Sequence, residues 1–228
     1  MTKDESKPVV VRDPTNRALE VAAFVSSAVP WVGGPISNVL GGISTQRKLD
    51  RVNEVLRGFA EDLQDFESEA SKQYVKTEGF EDLLEETLRH AAAERTEEIR
   101  RAYRTFLVRS VMDAEDLYDE QMRVLRVLEE LQAGHILVLG ALTSEPDEDP
   151  NALSGSQLRT LDRRIPELTK ETIEQLAEQL NDLRVTKLTG LRTMMTARGA
   201  SDLRHCLMPL GESLLRYIRT VPEETSKR

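Results

Sequence analysis

The chain has 228 residues, 31% of them charged and only 4% aromatic, with a formal net charge of −9 at neutral pH. That length provides for a hydrophobic core without disulfides, and the single cysteine, Cys206, has no partner within the chain. Because the acidic balance opposes the phosphate backbone of nucleic acids, nucleic acid is a less favoured partner than protein.

The first residues are predicted to be a disordered tail, 1–13, followed by a helix from Pro14 to about Val29. Asp13 followed by Pro14 is a typical helix start, with an N-cap residue before a proline at the first helical position. The tail mixes both charge signs and Glu20 interrupts the apolar stretch that follows, so no secretory signal is predicted. We therefore expect a cytoplasmic protein, and a location at the membrane periphery is the alternative.

The segment from Val21 to Gln46 carries no charged residue, in contrast with the rest of the chain. Pro30, Gly33, Gly34 and Pro35 interrupt it, so it is predicted to form a helical hairpin. The second arm starts near Pro35 or Ser37 and is expected to continue past Gly41 and Gly42 into the charged region. We call residues 21–46 the uncharged segment.

Three interpretations of the uncharged segment are open: burial in the core of the fold, insertion into a membrane or a protein partner, and contact between copies of the chain. Each arm of about 14 to 16 residues spans about 21 to 24 Å, which is short of a hydrocarbon core of roughly 30 Å. Trp31 at the hairpin tip is typical of an interfacial element. The candidate contact residues are Val29, Trp31, Val32, Gly33, Gly34, Ile36, Val39 and Leu40.

Residues 14–131 are predicted to form a helical bundle, because apolar positions recur at spacings of three and four. A first stripe comprises Leu49, Val52, Leu56, Phe59, Leu63 and Phe66. A second long helix is expected through Phe80, Leu84, Leu88, Ala91, Ala102, Phe106 and Val111, and a third through Leu117, Gln121, Val124, Leu128 and Leu131.

A second module is predicted over residues 134–221, before a disordered tail at 222–228. It begins with a short apolar helix from His135 to Leu142, followed by an acidic loop and a helix at 157–164. Thr169 caps the next helix, whose core stripe is Ile173, Leu176, Leu180 and Leu183. Residues 185–191 and 203–208 are expected to be strands around a turn at 198–201, and Pro209 starts a last helix through Ile218.

This order, closed by LMPLGESLLRYI at 207–218, resembles a winged-helix module over the last third of the chain. In DNA-reading members of that family, the helix that matches Thr169 to Arg184 enters the major groove with basic and amide side chains. Here that helix is acidic, which leaves Arg192, Arg198 and Arg204 as candidate contacts to a DNA backbone. The N-terminal part resembles uncharacterised bacterial helical proteins with a glycine-broken apolar hairpin, some of which are suspected of acting in phage defence.

No catalytic or cofactor site is predicted, since neither GxxxxGK[ST] nor GxGxxG occurs in the chain. The three histidines, His90, His135 and His205, lie in different elements without ligand-type spacing, so no metal is expected. His205 and Cys206 would point to opposite faces of a strand and could not share a proton. The expected fold class is mainly α, a helical bundle followed by a winged-helix-like module with a small β-hairpin.

The leading hypothesis is a non-enzymatic bacterial effector or adaptor that acts through protein contacts, with the uncharged segment engaging a membrane or partner on demand. Its expected partners are another protein or further copies of the chain, with a membrane as an alternative. Two competing hypotheses are a transcriptional regulator that binds DNA as a dimer and a soluble structural interaction protein.

Overall fold

A computed structural model describes residues 45–63, 68–114, 117–146 and 154–219, together with Ala23. Both predicted tails, and all but three positions of the uncharged segment, lie outside the described residues. The described chain is mainly α-helical with one small antiparallel sheet of two strands, which confirms the predicted fold class.

In the part of the chain that the structure describes, six helices precede the sheet. They are α1 (Gln46–Leu63), α2 (Glu69–Tyr74), α3 (Glu78–Ala93), α4 (Glu97–Met112), α5 (Tyr118–Glu129) and α6 (Ala133–Leu142). Strand β1 (Ser154–Gly155) leads into α7 (Gln157–Arg164) and α8 (Lys170–Asp182). Strand β2 (Met195–Thr196), α9 (Ala197–Ser201), a 3₁₀ turn (Arg204–Cys206) and α10 (Pro209–Ile218) complete the described chain.

The predicted apolar stripes form the core of the bundle, except for Leu117, which is exposed, and Phe66, which lies outside the described residues. Helix α1 packs against α3 and α4 with its stripe from Leu49 to Leu63 fully buried, and Phe80 and Phe106 are equally enclosed. Helix α1 begins at Gln46, with the carbonyl of Thr45 accepting from the N–H groups of its first turn. Thr45 is not helical, and the rest of the predicted second arm lies outside the described residues.

The long helix predicted from Phe80 to Val111 is two helices, α3 and α4, separated by residues 94–96. Glu94 is extended, and its carboxylate accepts from the N–H of Thr96 at 2.6 Å. Arg51 of α1 donates to the carbonyls of Ala92 and Ala93, which lie at the end of α3. These polar contacts satisfy helix-end groups that an unbroken helix would pair internally, so the break needs no glycine or proline.

Leu117 is not part of the buried stripe of α5, because it precedes the helix and is 74% exposed. The other predicted members of this stripe, Gln121, Val124, Leu128 and Leu131, are buried. Gln121 is a buried polar residue that accepts from the hydroxyl of Tyr74 and donates to the carbonyl of Ser110 at 3.4 Å. It thereby ties α5 to α2 and α4.

The β structure differs from the prediction. The sheet pairs Ser154 with Thr196 and Gly155 with Met195. Residues 185–191 and 203–208 meet only at a single antiparallel bridge between Thr186 and Leu207. The expected turn at 198–201 lies within helix α9.

The last helix, α10, returns to the bundle and packs on α4 and α5. The ring centroids of Tyr217 and Phe106 are 5.4 Å apart, and the Ser213 hydroxyl donates to the carboxylate of Glu120 at 3.0 Å. Helices α7 and α8 share the same continuous hydrophobic core, which α6 joins through α8. The core therefore extends without a gap from α1 to α10.

Candidate functional site

The predicted contact residues of the uncharged segment, from Val29 to Leu40, lie outside the described residues. Their role therefore stays a prediction from the sequence. Among the helices that the structure describes, none combines the length and the apolar character needed to cross a bilayer.

Arg192 is held by a carboxylate of helix α8. Its Nε and terminal nitrogen donate to the two oxygens of Glu174 at 2.6 and 2.7 Å. This two-bond contact lowers the pKa of Glu174 below its ordinary value. A phosphate would have to compete with that carboxylate for the same guanidinium.

Arg198 and Arg204 are both exposed, on α9 and on the 3₁₀ turn respectively. Neither makes an ion pair with another residue in the described ranges. The three predicted arginines therefore differ in their surroundings. Arg192 is paired with a carboxylate, whereas Arg198 and Arg204 expose their charges to solvent.

A shallow pocket of about 400 Å³ lies between α8 and the chain that follows it. Its walls combine carboxylates with apolar side chains. The lining residues are Glu174, Glu178, Asn181, Leu188, Gly190, Leu191 and Arg192. One of its two carboxylates, that of Glu174, is the partner of Arg192, which lines the same pocket.

The pair His205 and Cys206 differs from its prediction, because these residues form a 3₁₀ turn and not a strand. The His205 Nε2 and the Cys206 Sγ are 3.5 Å apart, and the Gln157 amide donates to the same sulfur at 3.5 Å. Burial raises the pKa of the Cys206 thiol, which keeps it protonated. The pair is close in space, but this environment disfavours the thiolate that a nucleophile needs.

A cluster of possible metal ligands lies between α3 and α5. The His90 Nε2 is 3.1 Å from Oε1 of Glu86, one turn earlier on α3, and 3.0 Å from Oε1 of Glu129 on α5. The side chains of Glu86 and His90 are each 32% exposed, and that of Glu129 is 21% exposed. The three ligand-type atoms all lie within 4.8 Å of one another. We call Glu86, His90 and Glu129 the Glu–His–Glu cluster.

The surroundings of this cluster are acidic and partly desolvated. Burial raises the pKa of Glu129, His90 opposes that rise, and the charges of Glu86 and Glu130 add to it. The ring of Tyr103, from α4, stacks on the His90 ring at 6.4 Å, and burial raises the pKa of that tyrosine as well. The second oxygen of Glu86 accepts from Arg89.

The cluster was not predicted from the sequence, where only the spacing of the three histidines was considered. A usable signal was present in Glu86 and His90, since positions four apart lie on the same face of a helix. The third member, Glu129, belongs to a different helix, and only the packing of α3 on α5 brings it into reach.

Comparison with known proteins gave no match to a family model, a curated protein or a solved structure. The resemblance of residues 134–221 to a winged-helix module stays a prediction. So does the resemblance of the N-terminal part to bacterial proteins with a glycine-broken hairpin.

Proposed function

We propose that the protein is a non-enzymatic bacterial effector or adaptor that acts through contacts made by its uncharged segment. The observation that carries the proposal is the absence of any charge from Val21 to Gln46, in a chain that is 31% charged. Apolar surface that lacks a charged face is stable only when something covers it. A lipid surface or another polypeptide would provide that cover.

The described residues support a scaffold to which this segment is attached. The segment ends at Gln46, where α1 begins, and α1 is locked to α4 by two ion pairs. Arg104 donates two bonds of 2.6 Å to Asp62, and Arg100 contacts Glu54 at 2.9 Å. Binding of the segment to a membrane or partner would thus connect the bundle to that membrane or partner through α1.

Co-sedimentation with anionic vesicles tests the membrane form of the proposal. The wild-type protein should sediment with the vesicles, and a Trp31→Asp, Val32→Asp variant should remain in solution, because two charges at the apolar tip oppose insertion. The matched control is Leu137→Asp with Met194→Asp, which places the same charges on exposed apolar side chains of the described surface. Equal sedimentation of the wild type and the Trp31 variant under all conditions would refute the membrane form.

Light scattering of the purified protein tests the alternative that a second copy of the chain, and not a membrane, buries the uncharged segment. A dimer that the Trp31→Asp, Val32→Asp variant converts to a monomer would assign the segment to self-association. If these substitutions instead unfold the protein, the segment belongs to the core, because a buried unpaired charge is strongly destabilising. That result would leave only the structural interaction protein.

DNA binding is a second candidate function, favoured by the exposed charges of Arg198 and Arg204. It would show as binding to mixed-sequence DNA that weakens steeply with salt, with a smaller salt slope for Arg198→Ala. The acidic face of α8 and the Glu174–Arg192 ion pair support the protein-contact proposal over this candidate.

A further inference from the structure

The Glu–His–Glu cluster contains contacts that a single proton cannot satisfy. Nε2 of His90 faces a carboxylate oxygen of Glu86 at 3.1 Å and one of Glu129 at 3.0 Å. An imidazole nitrogen carries at most one hydrogen, which points in one direction within the ring plane. Only one of the two oxygens can therefore accept a straight hydrogen bond, and the other meets Nε2 at a poor angle.

We propose that Glu86, His90 and Glu129 bind a divalent transition-metal ion, Zn²⁺, which fastens α3 to α5. The ion would accept the lone pair of Nε2 and one oxygen from each carboxylate. Two carboxylates and a neutral imidazole sum to a charge of −2, which a divalent ion neutralises. This proposal is independent of the function proposed for the uncharged segment.

The distances suit such an ion. Ligand atoms at about 2.0 to 2.2 Å from a metal lie about 3.0 Å apart in octahedral geometry and about 3.4 Å apart in tetrahedral geometry. The two separations from Nε2 of His90, 3.0 and 3.1 Å, lie close to the octahedral value. The third separation, between the carboxylate oxygens of Glu86 and Glu129, is within 4.8 Å, so side-chain rotations that bring these two oxygens closer to each other would complete the site.

The ligand set selects the class of ion. An imidazole nitrogen favours Zn²⁺ and its first-row neighbours, whereas Mg²⁺ and Ca²⁺ prefer sites built from oxygen alone. Three protein ligands leave at least one position for water, and the partly exposed side chains give the ion a route of entry.

Neighbouring side chains hold the ligands in place. Tyr103 stacks on the His90 ring and fixes its plane, while Arg89 donates to the second oxygen of Glu86 and leaves Oε1 for the ion. Arg89 is itself braced by Glu85 at 2.6 Å. Such outer contacts orient metal ligands and raise affinity.

Calorimetric titration of the full-length, chelator-treated protein with Zn²⁺ tests the proposal directly. The ligand variants are Glu129→Gln and His90→Gln, and the matched control is Glu130→Gln, at the exposed next position. Glutamine keeps the shape of glutamate, and circular dichroism verifies that each variant is folded. Titration with Co²⁺ adds a spectroscopic readout, since its visible absorption bands report coordination.

The wild type and Glu130→Gln should each bind one Zn²⁺ per chain with similar affinity. Loss of an outer contact already weakens metal affinity 10–100-fold, so each ligand variant should lose at least roughly 100-fold. The Co²⁺ bands should disappear in His90→Gln. Absence of saturable binding by the wild type, or unchanged binding by both ligand variants, would overturn the proposal.

Discussion

Gly211, near the start of α10, lies where two backbones meet. A Cβ atom at this position would overlap the carbonyl oxygen of Val185, which also accepts from the N–H of Met208 at 3.0 Å. Backbone atoms cannot rotate away as the end of a side chain can. Gly211→Ala should therefore lower the free energy of unfolding in urea by about 3 kcal/mol.

Gly140, in α6, provides the matched control for that substitution, because a Cβ there meets nothing within 4 Å. Gly140→Ala should raise the free energy of unfolding by about 0.5 to 1 kcal/mol, since alanine loses less backbone entropy in a helix. Equal effects of the two substitutions would show that the close approach at Val185 does not exist.

Arg184 has a left-handed backbone, with φ of 57°, just after helix α8. This is the position where many helices place a glycine, because a Cβ atom is disfavoured there. Arg184→Gly should raise the free energy of unfolding by about 1 kcal/mol, whereas Arg184→Ala, which keeps the Cβ, should not. Chemical denaturation of both variants separates the backbone effect from loss of the charge.

His135 is buried in its neutral form between α6 and α8. Nδ1 accepts from the N–H of Gln132 at 2.9 Å, so the proton lies on Nε2, which faces the Gln179 amide oxygen at 2.9 Å. Burial lowers the pKa of His135, and the contact with Gln179 only partly opposes this. The unfolded chain thus binds a proton more readily than the folded protein.

The stability contributed by neutral His135 should be complete above the unfolded pKa of about 6.5 and lost as the pH falls through the folded pKa. Between pH 7 and pH 5, the free energy of unfolding in urea should fall more for the wild type than for His135→Asn. The difference between the two proteins should be at most about 1.4 kcal/mol per pH unit. A parallel decline in both proteins would show that His135 does not carry this dependence.

At the scale of elements, Arg164 joins three segments of the C-terminal half. Its guanidinium donates to the carbonyls of Ala141 and Glu145 at 2.8 Å and of Ser201 at 2.9 Å. These carbonyls belong to the end of α6, the loop after it and the end of α9. One side chain on α7 therefore satisfies helix-end acceptors from two other helices.

Arg164→Met should cost about 3 kcal/mol of unfolding free energy, because it removes the charged donor and leaves partly buried carbonyls without it. The matched control, Arg159→Met, changes an exposed arginine of the same helix and should shift stability by less than about 0.5 kcal/mol. Thermal unfolding of the two variants provides the comparison, and similar Tm shifts would contradict the role given to Arg164.

Elements with strong local signals were predictable from the sequence. Ser156 and Thr169 cap α7 and α8 with their side chains, and Pro209 starts α10, so the positions of these helices follow from the residues alone. The break between α3 and α4 is harder to predict, because no glycine or proline marks it and one contact that satisfies the end of α3 comes from Arg51 on a distant helix. Strands of two residues, as in β1 and β2, are too short to show an alternating pattern.

At the scale of the whole molecule, the candidate sites depend on packing to different degrees. The uncharged segment is visible in the sequence alone, since it requires only a run of residues without charge. The Glu–His–Glu cluster joins residues from two helices and was visible only after α3 and α5 were placed together. The ion pair between Arg192 and Glu174 was likewise visible only in the folded structure. It shows that Arg192, a predicted contact to a DNA backbone, is already bound to a carboxylate.

We propose that the uncharged segment is a contact surface attached to a bundle that is already packed. Trp31 is the single tryptophan of the chain, so its fluorescence reports on this segment alone. We predict emission at long wavelength, accessible to a soluble quencher in the free protein, which shifts to shorter wavelength with anionic vesicles. Short-wavelength emission that a soluble quencher does not reduce and vesicles do not shift would place Trp31 in the core and contradict this proposal.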